Sequence, residues 1–407
     1  MVTRHPSSAV ADAQPTLQLA VRPRPADLDP LATAWVDLDA IAANVRVLAN
    51  VAREASLMAV VKADGFGHGA VPVARTALES GASWLGVARI EEAVALREAH
   101  VEAPILAWLL ESRLVPGALA RGIDVSASST ADLEGIARAA ATAGRRARVH
   151  LKLDTGLHRA GVPPSDWLAV LRHAVRLEST RLLRVVGVWS HLSHGDVVAH
   201  PEIARQQARF ADGLAAARRI GARPEVTHLA NTGAVLQQGA VGGTLVRVGA
   251  GMYGIDVFRG ALGASPLRPA LTLTARVVAV REVSTGEGVG YGHDWVADRP
   301  TRLALVPLGY ADGLPRGAVG SRMLLHGTSV PVVGRISMDQ AILDAGGMPV
   351  AVGDPVVVLG PGRPVHAPAV DPTPTLDDWA RWACTIPHDV LTGIGVRVDR
   401  RYVRWDR

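Results

Sequence analysis

The sequence predicts an α/β protein in which an amino-terminal (β/α)₈ barrel precedes a mostly β domain. Short apolar segments alternate with helical stretches between Leu57 and Val248. After Asp256, β-prone segments follow one another, separated by Gly and Pro turns. Regular alternation is typical of a closed parallel barrel, whereas clustered strands indicate a separate β layer. For the first part, a doubly wound open sheet is the alternative.

The barrel strands are predicted from eight short apolar runs. The intervening segments 90–99, 131–143 and 202–220 carry apolar residues at helical spacing, so they are predicted as helices. The predicted strands cover residues 57–61, 84–87, 105–108, 123–126, 149–153, 185–189, 226–229 and 245–248.

The second domain is predicted from its Gly- and Pro-punctuated strands, with one helix at 376–385. Residues 34–37 are expected to give it a first strand before the chain enters the barrel. The predicted strands cover residues 270–283, 302–306, 322–325, 330–335 and 355–358. The resulting divisions are a flexible leader at 1–30, the barrel at 31–265 and the β-rich domain at 266–407.

Composition excludes several classes of protein. A length of 407 residues suits two domains. The sequence contains no run of about 18 apolar residues, the length needed to cross a membrane. The leader lacks the apolar stretch of a secretory signal, and one cysteine, Cys384, favours the cytoplasm. The formal charge is +5, but the arginines are scattered and not interleaved with aromatic residues, so we expect no nucleic-acid partner.

Lysine is scarce. Lys62 and Lys152 are the only lysines among 43 Lys and Arg residues. A guanidinium stays protonated and cannot replace a neutral amine that attacks a carbonyl. Lys62 closes the apolar run 58–61, where burial would lower its pKa and free the amine. A reactive lysine at this position is therefore our hypothesis.

Polar residues gather at the predicted carboxyl ends of the strands, where barrels place their reactive groups. Glycines around the eighth strand favour phosphate binding by backbone N–H groups, and with Lys62 they indicate pyridoxal phosphate. His68, His191 and His194 fit no compact zinc pattern, so we expect no metal. The strand-end residues are Lys62, Lys152, Asp154, Arg159, His191, Asn231, Thr232, Arg247, Gly249 and Gly251.

The segment AVVKADGFGHG at residues 59–69 resembles the pyridoxal-phosphate lysine motif of bacterial alanine racemases. The resemblance continues in order from Ala34 to Tyr402, and the ordered set is far more specific than any one motif. Further matches are KLDTGLHR at 152–159, RVGAGMYG at 247–254, GYG at 290–292, GYADG at 309–313 and VGRISMDQ at 333–340.

The resemblance implies a homodimer whose sites are completed by the partner's β domain. Lys62 would bind the cofactor covalently and act as one acid–base, and Tyr291 of the partner subunit would act on the opposite face. With two such groups, one removes the α-proton and the other returns a proton to the opposite face of the α-carbon. Arg247 would face the pyridine nitrogen, with His191 hydrogen-bonded to Arg247 or Tyr291.

The remaining implied contacts concern substrate and phosphate. Arg159 and the Met338 backbone N–H would hold the substrate carboxylate, with Tyr310 at the entrance. In some family members the lysine matching Lys152 is carbamylated and supports the arginine matching Arg159. The residues implied for the cofactor phosphate are Thr232, Gly249, Ala250 and Tyr402, and Asn231 is expected as a further cofactor-binding residue.

The sequence departs from the family pattern at Phe66, where a tyrosine usually contacts the phosphate. Leu157 stands where methionine is usual, and the loop 193–196 also differs. The expected activity is interconversion of L- and D-alanine for peptidoglycan. The alternatives are a racemase of another small amino acid such as serine, a basic amino-acid decarboxylase on the same barrel, and a non-catalytic pyridoxal-phosphate protein.

Overall fold

The computed structural model describes residues 30–361 and 370–404. All of the predicted leader except Pro30 lies outside these ranges. Among the described residues, no helix combines the length and the apolar character needed to cross a membrane.

Eight parallel strands form a nearly closed barrel, which confirms the predicted fold class. The strands are β2 (Ser56–Val60), β3 (Trp84–Val87), β4 (Ile105–Ala107), β5 (Asp124–Ala127), β6 (Ala147–Lys152), β7 (Leu183–Trp189), β8 (Val226–His228) and β9 (Leu245–Val248), after an earlier strand β1 (Ala32–Asp37). Each of β2 to β7 pairs with its successor in the chain, and β9 pairs with β2, so the barrel is open only between β8 and β9. All eight carboxyl ends therefore meet at one mouth.

Helices follow the strands and cover the outside of the barrel. The helix Thr130–Ala143 shows why they form: the Ser129 hydroxyl accepts a hydrogen bond from the Asp132 backbone N–H at 3.0 Å, and Gly144 ends the helix with a φ of 60°. The helices are Leu38–Ala52, Ala70–Glu79, Ile90–Glu98, Val115–Ala120, Thr130–Ala143, Trp167–Ser179, Pro201–Ile220 and Thr232–Gln238, with 3₁₀ turns at Ser112–Leu114 and Ala250–Tyr253.

The rest of the chain is mostly β. Its strands are β10 (Leu271–Arg276), β11 (Ala279–Val283), β12 (Gly288–Val289), β13 (Trp295–Val296), β14 (Thr301–Val306), β15 (Arg322–Leu325), β16 (Thr328–Pro331), β17 (Ala341–Gly346), β18 (Pro355–Leu359) and β19 (Asp399–Val403). Six strands form one sheet in the order β16-β15-β18-β10-β1-β19. A second sheet has the order β11-β14-β17, and β12 pairs with β13.

The first strand of the chain belongs to the later sheet. β1 pairs antiparallel with β10, with Trp35 opposite Thr272, and parallel with β19, with Trp35 opposite Arg401. The expectation that residues 34–37 contribute a strand to the β domain is therefore confirmed. The boundaries 31–265 and 266–407 stay predictions.

Several elements differ from the sequence prediction. Residues 270–283 form two strands in different sheets, β10 and β11, and the strands β12, β13, β17 and β19 were not predicted. β16 begins earlier than predicted because His326 and Gly327, with φ of 50° and 77°, make a two-residue turn that fixes Leu325 opposite Thr328. The helix Pro387–Gly393 was not predicted. It is only seven residues long and buries Pro387, Val390 and Leu391, too few residues to show a helical period.

The buried hydrophobic side chains form separate clusters. The largest cluster joins the barrel strands to the surrounding helices, and another fills the β-rich part. Met58, Trp84, Leu106, Val186 and Leu245 form a smaller cluster. Leu57 and Ala59, which flank Met58, belong to the largest cluster, so Met58 points the opposite way, into the barrel.

Candidate active site

A cavity of about 640 Å³ lies at the carboxyl ends of the barrel strands. It brings together most of the predicted strand-end residues, as expected for this fold. The predicted residues that line it are Lys62, Arg159, His191, Asn231, Thr232, Arg247, Gly249 and Ala250.

Lys62 opens a left-handed turn that directly follows β2. Ala63, Asp64 and Phe66 all have φ near 50°, which is rare for residues with a side chain. Two carboxylates hold the turn: Glu92 Oε1 accepts from the Ala63 N–H at 2.6 Å, and Asp64 Oδ1 accepts from the Ala70 N–H at 2.8 Å. Backbone strain held in this way is typical of functional sites.

The Lys62 amine lies in mostly apolar surroundings. Its Nζ is 5.9 Å from the ring centroid of Phe66 and 5.9 Å from that of Trp108. Burial, together with the positive charge of Arg159, lowers the pKa of Lys62 below its ordinary value, although Glu92 partly opposes this. A larger share of the amine is therefore neutral and nucleophilic at physiological pH.

Arg247 is buried, with 5% exposure, and no carboxylate of the described residues forms an ion pair with it. Its guanidinium donates to the carbonyl oxygens of Ser190 at 2.7 Å and His228 at 2.9 Å, and reaches His191 Nδ1 at 3.2 Å. Burial lowers the pKa of Arg247 to about 9, so the group remains a cation at neutral pH. None of its hydrogen bonds to described residues involves Nε.

Thr232 organises the other end of the cavity. Its hydroxyl accepts hydrogen bonds from the backbone N–H groups of Gly249 at 3.2 Å and Gly251 at 3.4 Å. The Asn231 side chain caps the helix Thr232–Gln238 by accepting from the Ala234 N–H. The start of this helix and the start of the 3₁₀ turn after Gly249 both border the cavity, and helix starts are a favourable setting for an anion.

The second lysine lies beside the cavity without lining it. Lys152 is 7% exposed, and its Nζ lies 4.5 Å from the ring centroid of Trp189. Burial, followed by the charges of Arg159 and Arg247, lowers the pKa of Lys152 to about 8. His191 lines the cavity, and burial beside Arg247 lowers its pKa well below the ordinary value, which keeps the imidazole neutral.

Besides Lys152, four further residues implied by the family resemblance do not line the cavity. Tyr291, Tyr310 and Met338 lie on the exposed surface of the β-rich part, and Tyr291 is the most open of them at 69% exposure. Tyr402 is packed elsewhere: a Cβ placed on Gly69 would lie only 2.0 Å from its hydroxyl oxygen. A single chain thus assembles the lysine side of the predicted site and leaves the tyrosines outside it.

Sequence reasoning missed His388, which lines the cavity from the unpredicted helix Pro387–Gly393. Its ring centroid is 5.8 Å from that of Phe66, and its Nδ1 is buried without a hydrogen-bond partner among the described residues. The proline at the start of that helix was the available signal, because proline favours the first helical turn. The same described ranges contain no cluster of three or more His, Cys, Asp or Glu suited to a metal.

Comparison with known proteins gives consistent matches. Residues 36–257 match the family model of the alanine racemase N-terminal domain, and residues 270–402 match that of the C-terminal domain. An alanine racemase of Frankia casuarinae is 44% identical over 93% of this chain and 98% of its own length.

Two solved structures extend these matches. The structure of alanine racemase from D-cycloserine-producing Streptomyces lavendulae has a TM-score of 0.87 at 42% identity, covering 93% of this chain and 98% of that one. The structure of a Bartonella henselae alanine racemase with covalently bound pyridoxal phosphate has a TM-score of 0.81 at 27% identity, covering 92% and 100%.

Proposed function

The chain belongs to the alanine racemase family, and from that premise we propose that it interconverts L- and D-alanine with pyridoxal phosphate held in the barrel-mouth cavity. The observation that carries the proposal is the placement of an amine with a lowered pKa, Lys62, in one cavity with a buried cation, Arg247. We place this activity in the cytoplasm, where it would provide D-alanine for peptidoglycan.

The residues present fit the proposed cofactor at three points. Lys62 would bind its aldehyde carbon, Arg247 would face its pyridine nitrogen, and Thr232 with the Gly249 and Ala250 backbone would hold its phosphate. Glycine at position 249 keeps the space beside Phe66 open, because a Cβ there would lie 3.2 Å from the Phe66 ring. When bound, the cofactor withdraws electrons from the substrate α-carbon and so acidifies its hydrogen.

The side chains of the protein then direct the proton. We propose that Lys62 removes or returns the α-proton on one face of the substrate and that Tyr291 of the partner subunit serves the opposite face. One proton leaves and one arrives, so the amino acid changes only its configuration. Arg247 remains a cation and therefore cannot donate its proton fully to the pyridine nitrogen, which moderates the electron withdrawal.

Substrate binding rests on a second cation. Arg159 lines the cavity and is suited to holding the substrate carboxylate. The proposed homodimer would add the Met338 backbone N–H and Tyr310 of the partner subunit near the entrance. The exposure of both residues in a single chain supports this arrangement. Lys152, kept in the interior beside Arg159, would position that arginine.

Chemical trapping tests the proposal. The protein is loaded with pyridoxal phosphate, reduced with borohydride and digested, and the modified peptide is identified by mass spectrometry. We expect the label on Lys62, with Lys152 as the internal control because it is the only other lysine. Chiral chromatography of L-alanine incubated with the loaded enzyme should show D-alanine. A label on Lys152, or no racemisation of alanine, would refute the assignment.

A further inference from the structure

Arg247 is linked to three buried side chains that the proposed mechanism does not use. Its Nη1 lies 3.0 Å from Nδ1 of His228, and Nε2 of His228 lies 3.0 Å from Nδ1 of His150. Nε2 of His150 lies 3.2 Å from Oδ2 of Asp124. The two histidines have 0% exposure and Asp124 has 1%.

The chemistry of the two ends fixes the direction of these hydrogen bonds. Arginine can only donate, so Nδ1 of His228 must accept, and the neutral ring then carries its hydrogen on Nε2. That hydrogen can only be donated to Nδ1 of His150, which places the hydrogen of His150 on Nε2. An ionised carboxylate can only accept, so Asp124 completes the chain. The arginine at one end and the carboxylate at the other require the same tautomers.

The chain runs from one end of the barrel toward the other. Asp124 is the first residue of β5 and so lies at the amino-terminal end, opposite the mouth. There it also accepts a hydrogen bond from Arg148 Nε at 2.9 Å, and the Arg148 side chain is 36% exposed. Asp124 is thus fixed at the solvent side of the barrel floor while its second oxygen faces inward.

The surrounding packing leaves the two imidazoles little freedom. The Trp189 ring stacks on His228 with an interplanar angle of 5°, and its other contacts include the Arg247 guanidinium at 4.9 Å. Trp84 meets the edge of His150 at 5.5 Å between ring centroids. Gly187 makes room for the same ring, because a Cβ there would lie 2.1 Å from His150 Nδ1.

We propose that Asp124, His150 and His228 form a directed hydrogen-bond relay that positions Arg247 and provides the countercharge for its buried cation from the opposite end of the barrel. The three are positioning residues, since none of them lines the cavity. Burial and the charge of Arg247 lower the pKa of His228 well below its ordinary value, in agreement with a neutral imidazole. The effect on turnover rests on the proposed function, whereas the direction of the relay does not.

Neutron diffraction from deuterated crystals of the loaded enzyme tests the direction of the relay. We expect deuterium on Nε2 of both His150 and His228 and none on Nδ1 of either. Deuterium on Nδ1 of either ring would overturn the relay. This measurement needs no variant and no activity, so it separates the relay from the assignment of function. An enzyme that fails to racemise alanine yet shows these tautomers would refute only the function.

Asp124→Asn tests what the relay does. The amide can still accept from His150 but carries no charge, so we expect kcat for alanine to fall about tenfold to a hundredfold, as for a weakened hydrogen bond to a charged group. KM should change less than about twofold, because the Arg159 contact is untouched. Asp344→Asn is the control, since Asp344 is a buried carboxylate paired with Arg299 outside the barrel.

We expect Asp344→Asn to keep kcat. The positioning role would be overturned by a normal kcat in Asp124→Asn or by an equal loss of kcat in both variants. It would also be overturned if Asp124→Asn raised KM and left kcat unchanged. Should Asp124→Asn fail to fold, the deuterium positions in the unmodified enzyme still decide the proposal.

Discussion

At the scale of residues, the site could be predicted in part because a parallel barrel brings distant strand ends together. Lys62 lies far from Thr232 and Arg247 in the sequence, yet all three share one cavity. Asp124 and His150 could not be predicted in the same way. They lie within strands, where nothing in a single sequence indicates which polar side chains point inward and find a partner.

Phe66 gives a prediction at this scale. It is buried and stacks on Tyr253 with ring centroids 4.6 Å apart, and its Cζ is the atom that faces Gly249. Phe66→Tyr adds a hydroxyl at that atom, on the side where the phosphate is proposed. We expect tighter binding of pyridoxal phosphate by about 1.5–3 kcal/mol, the value of a hydrogen bond to a charged group.

The dissociation constant of pyridoxal phosphate, measured by absorbance titration, checks this expectation. Phe258→Tyr is a matched control because Phe258 also borders the cavity but from the segment after the 3₁₀ turn. An unchanged affinity in Phe66→Tyr, or an equal gain in both variants, would contradict the proposed phosphate position.

At the scale of elements, the barrel strands were predicted better than the short helices. Residues 84–87 and 245–248 were predicted with the bounds they have in the structure, because a buried parallel strand is a nearly continuous apolar run. The helix Pro387–Gly393 was missed because its burial depends on tertiary contacts. A helix of two turns carries too little periodicity to be recognised in the sequence alone.

Gly187 gives a prediction for the strand β7. Gly187→Ala would force a methyl group against the His150 ring, and overpacking of this kind costs about 1–3 kcal/mol. We therefore expect a lower melting temperature and lower kcat, because the same ring belongs to the relay. Thermal unfolding followed by circular dichroism, with kinetics on the same preparation, measures both.

Gly135→Ala is the control for this substitution. Gly135 lies in the helix Thr130–Ala143, and a Cβ there would approach only the end of the Arg138 side chain, at 3.9 Å. Alanine in a helix interior is favoured over glycine by roughly 0.5–1 kcal/mol, so this variant should be slightly more stable. If Gly187→Ala behaved like Gly135→Ala, the barrel interior would have more room at His150 than the structure indicates.

At the scale of the whole molecule, the sequence predicted the barrel and the β layer but not their geometry relative to a second chain. The exposure of Tyr291, Tyr310 and Met338 agrees with a site that two chains complete. The family resemblance and the position of these residues outside the cavity of one chain both support the proposed homodimer.

Subunit mixing tests this arrangement. Lys62→Ala and Tyr291→Phe chains should each be inactive alone. In a two-fold dimer, a mixed pair has one intact site and one site lacking both groups, so random exchange at equal amounts should restore about a quarter of the activity of the unmodified enzyme. Activity is measured after native mass spectrometry has confirmed the mixed dimer.

Lys62→Ala mixed with Arg247→Ala is the matched control. Lys62 and Arg247 line the same cavity of one chain, so every site in that mixture lacks one of them and no activity should return. Mixed dimers of Lys62→Ala and Tyr291→Phe that stay inactive would contradict a shared site.

The pairing of β1 with β10 and β19 has a consequence for biosynthesis. Residues 32–37 leave the ribosome long before their parallel neighbour at residues 399–403 is made. The last pairing of this sheet, between β1 and β19, joins residues that are very far apart in the sequence, and such contacts are slow to form. The barrel can fold before β1 pairs with β19, so nascent chains should acquire barrel structure well before the six-stranded sheet is complete.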